Sequence, residues 1–192
     1  MKLAVIIGVA GFLALILIIV IIGAIWYLSA RNGLIALDEG INAAWSEIDN
    51  QLQRRSDLIP NFVNTVKGYA AHEEKVFSDI AEARSRLAGA KTVEEKAEGY
   101  NGMQSALARL LVVVEQYPDL KANQNFIALQ DELAGTENRL AVARKRYNDS
   151  VSVFNTRIRA FPGSLLAGGL GFAPRPYFEI NETARQVPQV QF

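Results

Sequence analysis

The sequence predicts an all-α protein: an N-terminal transmembrane helix followed by an elongated antiparallel bundle of four long helices. Three observations carry this. Residues 3–30 hold no charged side chain, the apolar residues after them recur at steps of three and four, and no β-hairpin signal appears before Pro162. The expected domains are an anchor over 1–30, a bundle over 31–161 and a Gly/Pro-rich apolar tail over 162–192.

Composition bounds what such a chain can do. Its 192 residues suit one domain with an attachment. It carries 20 Lys+Arg against 20 Asp+Glu, and only Lys2 of these precedes residue 31. The later part is thus near neutral, which excludes nucleic-acid binding by bulk phosphate neutralisation. The absence of cysteine excludes disulfides, thiolate nucleophiles, cysteine zinc sites and lipid attachment to cysteine.

A spanning helix needs about 20 apolar residues at ~1.5 Å each, and 3–30 exceeds that. Trp26 and Tyr27 lie near its end, where amphipathic rings favour the headgroup level. A cleaved signal peptide has an apolar core of about 7–15 residues and a small-x-small site, whereas this core is longer and lacks that site. A retained anchor is expected, in contact with the lipid bilayer through residues 3–30. Lys2 and the amino terminus lie before it and only Arg31 close after it, a slight lean to an outer, periplasmic bundle.

The first bundle helix is expected from Leu34 to Leu52, striped by Leu34, Leu37, Ile41, Ala44, Trp45, Ile48 and Leu52. Whether Asn32 and Gly33 separate it from the anchor is open. The polar run Arg54-Arg55-Ser56-Asp57 reads as a stop, with Ser56 or Asp57 capping a second helix that has Pro60 in its first turn. That helix carries Phe62, Val66, Tyr69, Val76, Ile80 and Leu87 and ends at Gly89. Thr92 with Glu95 forms a capping box for the third, which stops at Tyr117-Pro118. The fourth runs from Asn123 or Asn125 to Phe161, striped by Phe126, Leu129, Leu133, Leu140, Ala143, Tyr147, Val151, Phe154, Ile158 and Phe161. The repeat is nearer 3.5 than 3.6, as in long helices with a left-handed coil. The tail after it reads as packing back along its own bundle, or else docking on lipid headgroups or a neighbouring subunit. Residues 182–192 are expected to be mobile.

Chemistry-bearing residues are sparse. The single His72 forbids the paired Glu-x-x-His of di-iron bundles and the two-histidine zinc motif. No Gly-x-Ser-x-Gly elbow supplies a nucleophile, so His72 reads as structural or surface. Gly168-Gly169-Leu170-Gly171 lacks the Gly-Lys-Ser/Thr ending of a phosphate loop. Tyr100, Tyr117 and Tyr147 fall on stripes and read as core. Glu73 takes a stripe position between Tyr69 and Val76, either paired across the bundle with an Arg, Tyr or Asn of the fourth helix or sitting at a boundary. No catalytic, cofactor-binding or metal-binding residue is assigned.

Several stretches resemble one family: Asn32-Gly33-Leu34-Ile35, Ala44-Trp45-Ser46-Glu47-Ile48-Asp49, Gln51 through Val63, Val66-Lys67-Gly68-Tyr69, His72-Glu73, Tyr117 through Asn123 to Phe126, Glu132-Leu133, Thr136-Glu137-Asn138 and Tyr147-Asn148. As a set they are similar to the LemA family signature over nearly the whole chain. The resemblance implies a bacterial protein with one N-terminal transmembrane helix and a bundle of long antiparallel helices, and it brings no catalytic residues. Some relatives belong to magnetosome membranes and others are encoded near envelope proteins, which implies envelope scaffolding. One departure is Arg31, where the pattern has tyrosine. The expected role is a non-enzymatic scaffold of the cell membrane, forming a homo-oligomer or meeting unidentified envelope proteins. The alternatives are a hydrolase using Glu47, Asp49 and Glu73, and a membrane-proximal sensor.

Overall fold

The computed structural model describes residues 2–180, so the expectation for 182–192 lies outside the described residues. Six helices and no strand occur among them: α1 (Lys2–Lys67), α2 (Glu74–Gly89), α3 (Val93–Val114), α4 (Pro118–Lys121), α5 (Gln124–Arg159) and α6 (Gly163–Leu166). The class is all-α.

α1 passes through Asn32 and Gly33 without a break. It also passes through the polar run at 54–57 and holds Pro60 inside, which corrects the expected stop there. The reason is local. Proline has no N–H for the carbonyl four residues back, here that of Ser56. Arg84 of α2 donates its Nε to that carbonyl at 3.0 Å and to Ser56 Oγ at 3.3 Å. On either side Leu52, Ile59, Phe62, Val63 and Val66 are buried, so packing holds the helix across the gap in its ladder.

The real break comes later, over residues 68–73, inside the expected second helix. Gly68 is a poor helix former, and Ala70 is drawn into the core. Tyr69 leaves the helical stripe, and its hydroxyl accepts from Asn123 Nδ2 at 2.9 Å. Asn123 in turn caps α5, its Oδ1 accepting from the N–H groups of Asn125 and Phe126. α3 begins at the expected capping box, where Thr92 and Glu95 satisfy each other's backbone N–H. The N–H groups of Lys91 and Thr92 hold the Glu95 carboxylate below its ordinary pKa.

The chain divides into two compact units. One comprises Asn42–Val151 and Pro176–Phe192. Its core joins α1, α2, α3 and α5 through Ile59, Phe62, Val66, Phe77, Ile80, Met103, Leu110 and Phe126. Phe62 and Phe126 stack at 5.1 Å. The pairs Arg54–Glu132 and Trp45–Tyr147 show α1 and α5 running in opposite directions. α2 and α3 approach closely at Gly99, where a Cβ would meet Leu87 Cα at 2.9 Å. The tail returns here: Phe178 is 1% exposed and lies 5.9 Å from the Trp45 ring. Asn148 holds both the N–H and the carbonyl of Phe178, and the Tyr147 hydroxyl donates to the Pro176 carbonyl at 2.9 Å. Of the two readings of the tail, this stretch takes the one in which it packs on its own bundle.

The other unit comprises Met1–Ile41 and Ser152–Arg175. Leu34, Ile41, Phe154, Ile158 and Ala167 are buried in it, and Phe154 meets Phe172 edge-on at 5.6 Å. Arg175 ties the unit together, its guanidinium donating to Asp38 at 2.7 Å while Asn155 holds its backbone N–H and carbonyl. The large apolar side chains of residues 12–28 are bare.

Two outcomes follow from the packing. Gly99→Ala should destabilise by about 1–3 kcal/mol because Leu87 backbone must move, whereas Gly102→Ala, with open space around it, should be neutral or gain up to ~1 kcal/mol from helix propensity; thermal melts of the two variants check this. Arg84→Met should cost about 1 kcal/mol by orphaning the Ser56 carbonyl. In a Pro60→Ala background, which restores the N–H, the same change should cost measurably less, and a double-mutant cycle reads the difference.

Candidate functional site: a buried charge shared by three helices

Arg55 is the one charged residue buried among those described, at 5% exposure, and three helices converge on it. α1 supplies Arg55 itself, at the step of seven that runs Leu34, Ile41, Ile48, Arg55, Phe62. α3 supplies Tyr100 and Gln104, one helical turn apart, and α5 supplies Glu137. The Arg55 Nη1 donates to Glu137 Oε2, and Nη2 donates to Gln104 Oε1 at 2.7 Å. The Gln104 amide nitrogen donates to the Tyr100 hydroxyl at 2.6 Å and to Glu137 Oε2 at 2.8 Å. The Tyr100 hydroxyl donates to the same carboxylate oxygen. The guanidinium also lies 5.7 Å from the centre of the Tyr100 ring, within cation–π range.

This arrangement stabilises charge rather than generating reactivity. Burial pushes the Tyr100 hydroxyl well above its ordinary pKa, and its bond to Glu137 adds to the shift. The phenol therefore stays protonated at neutral pH and offers neither a nucleophile nor a base. The carboxylate faces a guanidinium, an amide and a phenol, and the Glu137 side chain is 37% exposed, so water shares the burden of its charge.

The sequence-predicted carboxylates are not brought together. Glu47 is exposed and accepts from Gln51 on its own helix at 2.9 Å. Asp49 pairs with Lys96 of α3 at 2.5 Å. Glu73 is the N-cap residue of α2, half-buried, and makes no capping bond through its side chain. Of the two readings of Glu73, its half-buried place takes the one at a boundary, because the helix on which it was placed is interrupted at 68–73. His72 is exposed in that same break. Among the described residues no three His, Asp or Glu side chains form a group able to hold a metal ion. A groove of about 630 Å³ between α2 and α3 is lined by Asp79, Glu82, Arg86, Gly102 and Arg109. Its charges pair with each other, Asp79 with Arg109 at 3.3 Å and Glu82 with Arg86 at 2.5 Å.

Comparison with known proteins decides the family. The family model described as "LemA family" matches residues 44–192. The chain belongs to the LemA family. Magnetosome protein MamQ 2 of Paramagnetospirillum magneticum is 27% identical over 177 residues, covering 77% of this chain and 64% of that protein. Magnetosome protein MamQ of Magnetospirillum gryphiswaldense is 26% identical over 188 residues, 83% of this chain and 69% of that one. Protein LemA of Metamycoplasma hominis is 26% identical over 185 residues, covering 93% and 83% respectively. This LemA-family chain thus spans under two thirds of the length of the first of these relatives. The matched region contains Arg55, Tyr100, Gln104 and Glu137 but not the apolar stretch of α1.

Tyr100→Phe should lower stability by about 1–2 kcal/mol at neutral pH. Tyr100 holds its proton more tightly when folded, so its contribution is complete below the unfolded pKa near 10 and is lost as pH rises above it. Wild-type stability should therefore fall more steeply between pH 9 and pH 11 than that of Tyr100→Phe; melting in mild detergent across about that range tests it.

Proposed function

We propose that this chain is a single-pass, membrane-anchored interaction module of the bacterial cell envelope that works without catalysis. The observation that carries the reading is the form of α1. Its apolar part has a mean hydropathy of 2.8 in its best window, none of that window is buried against protein, and the helix continues without interruption into the bundle. Among the described residues it is the one helix long and apolar enough to cross a membrane. Bare apolar side chains on every face of a helix are stable in hydrocarbon and not in water. The dispersal of Glu47, Asp49, Glu73 and His72, together with the mutual pairing of Arg55, Glu137, Gln104 and Tyr100, supports a binding role over a hydrolytic one. The bundle then presents its outer helical faces to envelope proteins or to other copies, on the side of the bilayer reached by residues after Arg31.

The full chain expressed in bacterial membranes should stay in the membrane fraction through washes of high salt and urea, and leave only with detergent. Leu17→Arg with Ile18→Arg places two charges in the span, each costing about 2.5–3.5 kcal/mol at the bilayer centre, and should move the protein to the soluble fraction. Recovery of the unaltered chain in the salt wash would remove the reading. Protease added to spheroplasts, cutting the bundle if it faces outward, fixes the side.

A further inference from the structure

We propose that the turn at residues 161–166 is a second lipid contact, in which Phe161 and Leu165 enter the headgroup region of an anionic bilayer beside the span of α1. The proposal rests on the reading of α1 as a membrane anchor. Phe161 is 76% exposed and Leu165 69%, more than any described large apolar side chain of the bare α1 stretch, whose highest value is 63% at Ile25. An exposed pair of this size is unusual next to a region that buries Ile158 and Phe154, three and seven residues earlier on α5.

Position selects lipid as the occupant. Within this unit, Arg175 bonds Asn155 of α5 through its backbone and Asp38 of α1 through its guanidinium, which brings those two residues within one arginine side chain of each other. α5 runs opposite to α1, so the chain beyond Asn155 advances toward residue 30. Six residues on, Phe161 lies on the order of 9 Å further along, level with about residues 31–34 of α1. Leu34 is buried there, whereas Trp26, Tyr27 and Leu28, just beyond, are bare. The folded cover of α1 therefore ends where the aromatic belt of a span begins, and the turn stands at that edge.

Charge agrees with position. No acidic residue occurs between Asp149 and Glu179, while Arg157 and Arg159 close the last turn of α5 and are exposed, and Arg31 lies on the facing part of α1. In a chain of net charge zero this is a local positive rim around an apolar pair, the pattern of a segment that lies in an anionic interface. The turn is also built to hold that shape. A Cβ on Gly163 would fall 2.0 Å from the Arg157 carbonyl oxygen, so the backbone folds hard against the end of α5. Ala167 is buried beneath it, with its N–H donating to the Gly163 carbonyl at 2.8 Å. Phe161 and Leu165 are left facing away.

The chain has no cysteine, so single labels can be placed cleanly. Full-length variants Phe161→Cys, Leu165→Cys, Leu17→Cys and Gln130→Cys, each carrying an environment-sensitive fluorophore, would be reconstituted in vesicles of phosphatidylcholine with and without phosphatidylglycerol. Lipids brominated near the headgroup and lipids brominated deep in the chain serve as quenchers. Labels at 161 and 165 should shift to shorter wavelength and lose intensity with the shallow quencher, more so with phosphatidylglycerol, while the label at 130 stays unchanged and that at 17 responds to the deep quencher. Arg157→Gln with Arg159→Gln should remove the preference for phosphatidylglycerol. Quenching at 17 with labels at 161 and 165 behaving like that at 130 overturns the lipid contact and leaves the anchor standing. No quenching at 17 overturns both. Disulfide formation between two Phe161→Cys chains in membranes, without lipid quenching, assigns the pair to a second copy and overturns the proposal.

Discussion

The bond between Arg55 and Glu137, braced by Gln104 and Tyr100, is the constraint from which the order of the bundle follows. Apolar seams repeated every seven residues tolerate sliding, because Leu34, Ile41, Ile48 and Phe62 resemble one another in what they accept. A buried guanidinium does not. Moving α1 by one repeat against α5 would set Arg55 opposite Gln130 in one direction and Arg144 in the other, neither of which carries a negative charge. Removing the carboxylate from a buried arginine costs several kcal/mol, a penalty that each shifted alignment carries. One polar layer thus selects one alignment of α1, α3 and α5, and the apolar layers above and below add cohesion to it.

Much of this was legible. The long fourth stripe, the Thr92–Glu95 box and the interruption at Tyr117-Pro118 were each set by local rules that no neighbour overrides, and α3 and α5 occupy the stretches those rules mark. The errors have a common cause: a local signal answered from elsewhere in the chain. Pro60 signals a helix start only while nothing supplies the missing donor, and Arg84, twenty-four residues away, supplies it. Arg54-Arg55-Ser56-Asp57 looks like a solvated turn because four polar residues stand together, yet Arg55 keeps the seven-residue step of its helix and its partner is eighty-two residues distant. That step, continued past Leu52, is the signal that would have found the site. Glu73 drew notice through a stripe that Gly68 had already ended. The tail contacts had a fainter mark in Asn148 and Asn155, two amides seven apart on α5, each holding backbone of the returning chain.

The polar chemistry divides between the interior and the surface. What is charged and buried is spent internally, and some of the charge at the surface is paired with a neighbour, as in Asp49–Lys96, Arg54–Glu132 and Lys145–Asp149. Such exposed pairs contribute little stability, typically 0–1 kcal/mol each, but they leave the outer surface nearly neutral and rich in hydrogen-bonding groups.

The missing rung at Pro60 has one more consequence. The carbonyl that α1 leaves unmet there is satisfied by a donor that belongs to α2, so the first helix borrows a bond from the second. Any opening in which α2 swings outward withdraws that bond at the weakest point of α1, a single turn from Arg55. The two events are thermodynamically linked: bending at residues 56–60 loosens the seat of Arg84, and lifting Arg84 makes the bend cheaper. The packing of α2 and the regularity of α1 are thus coupled at one place, next to the charge that keeps its helices in step.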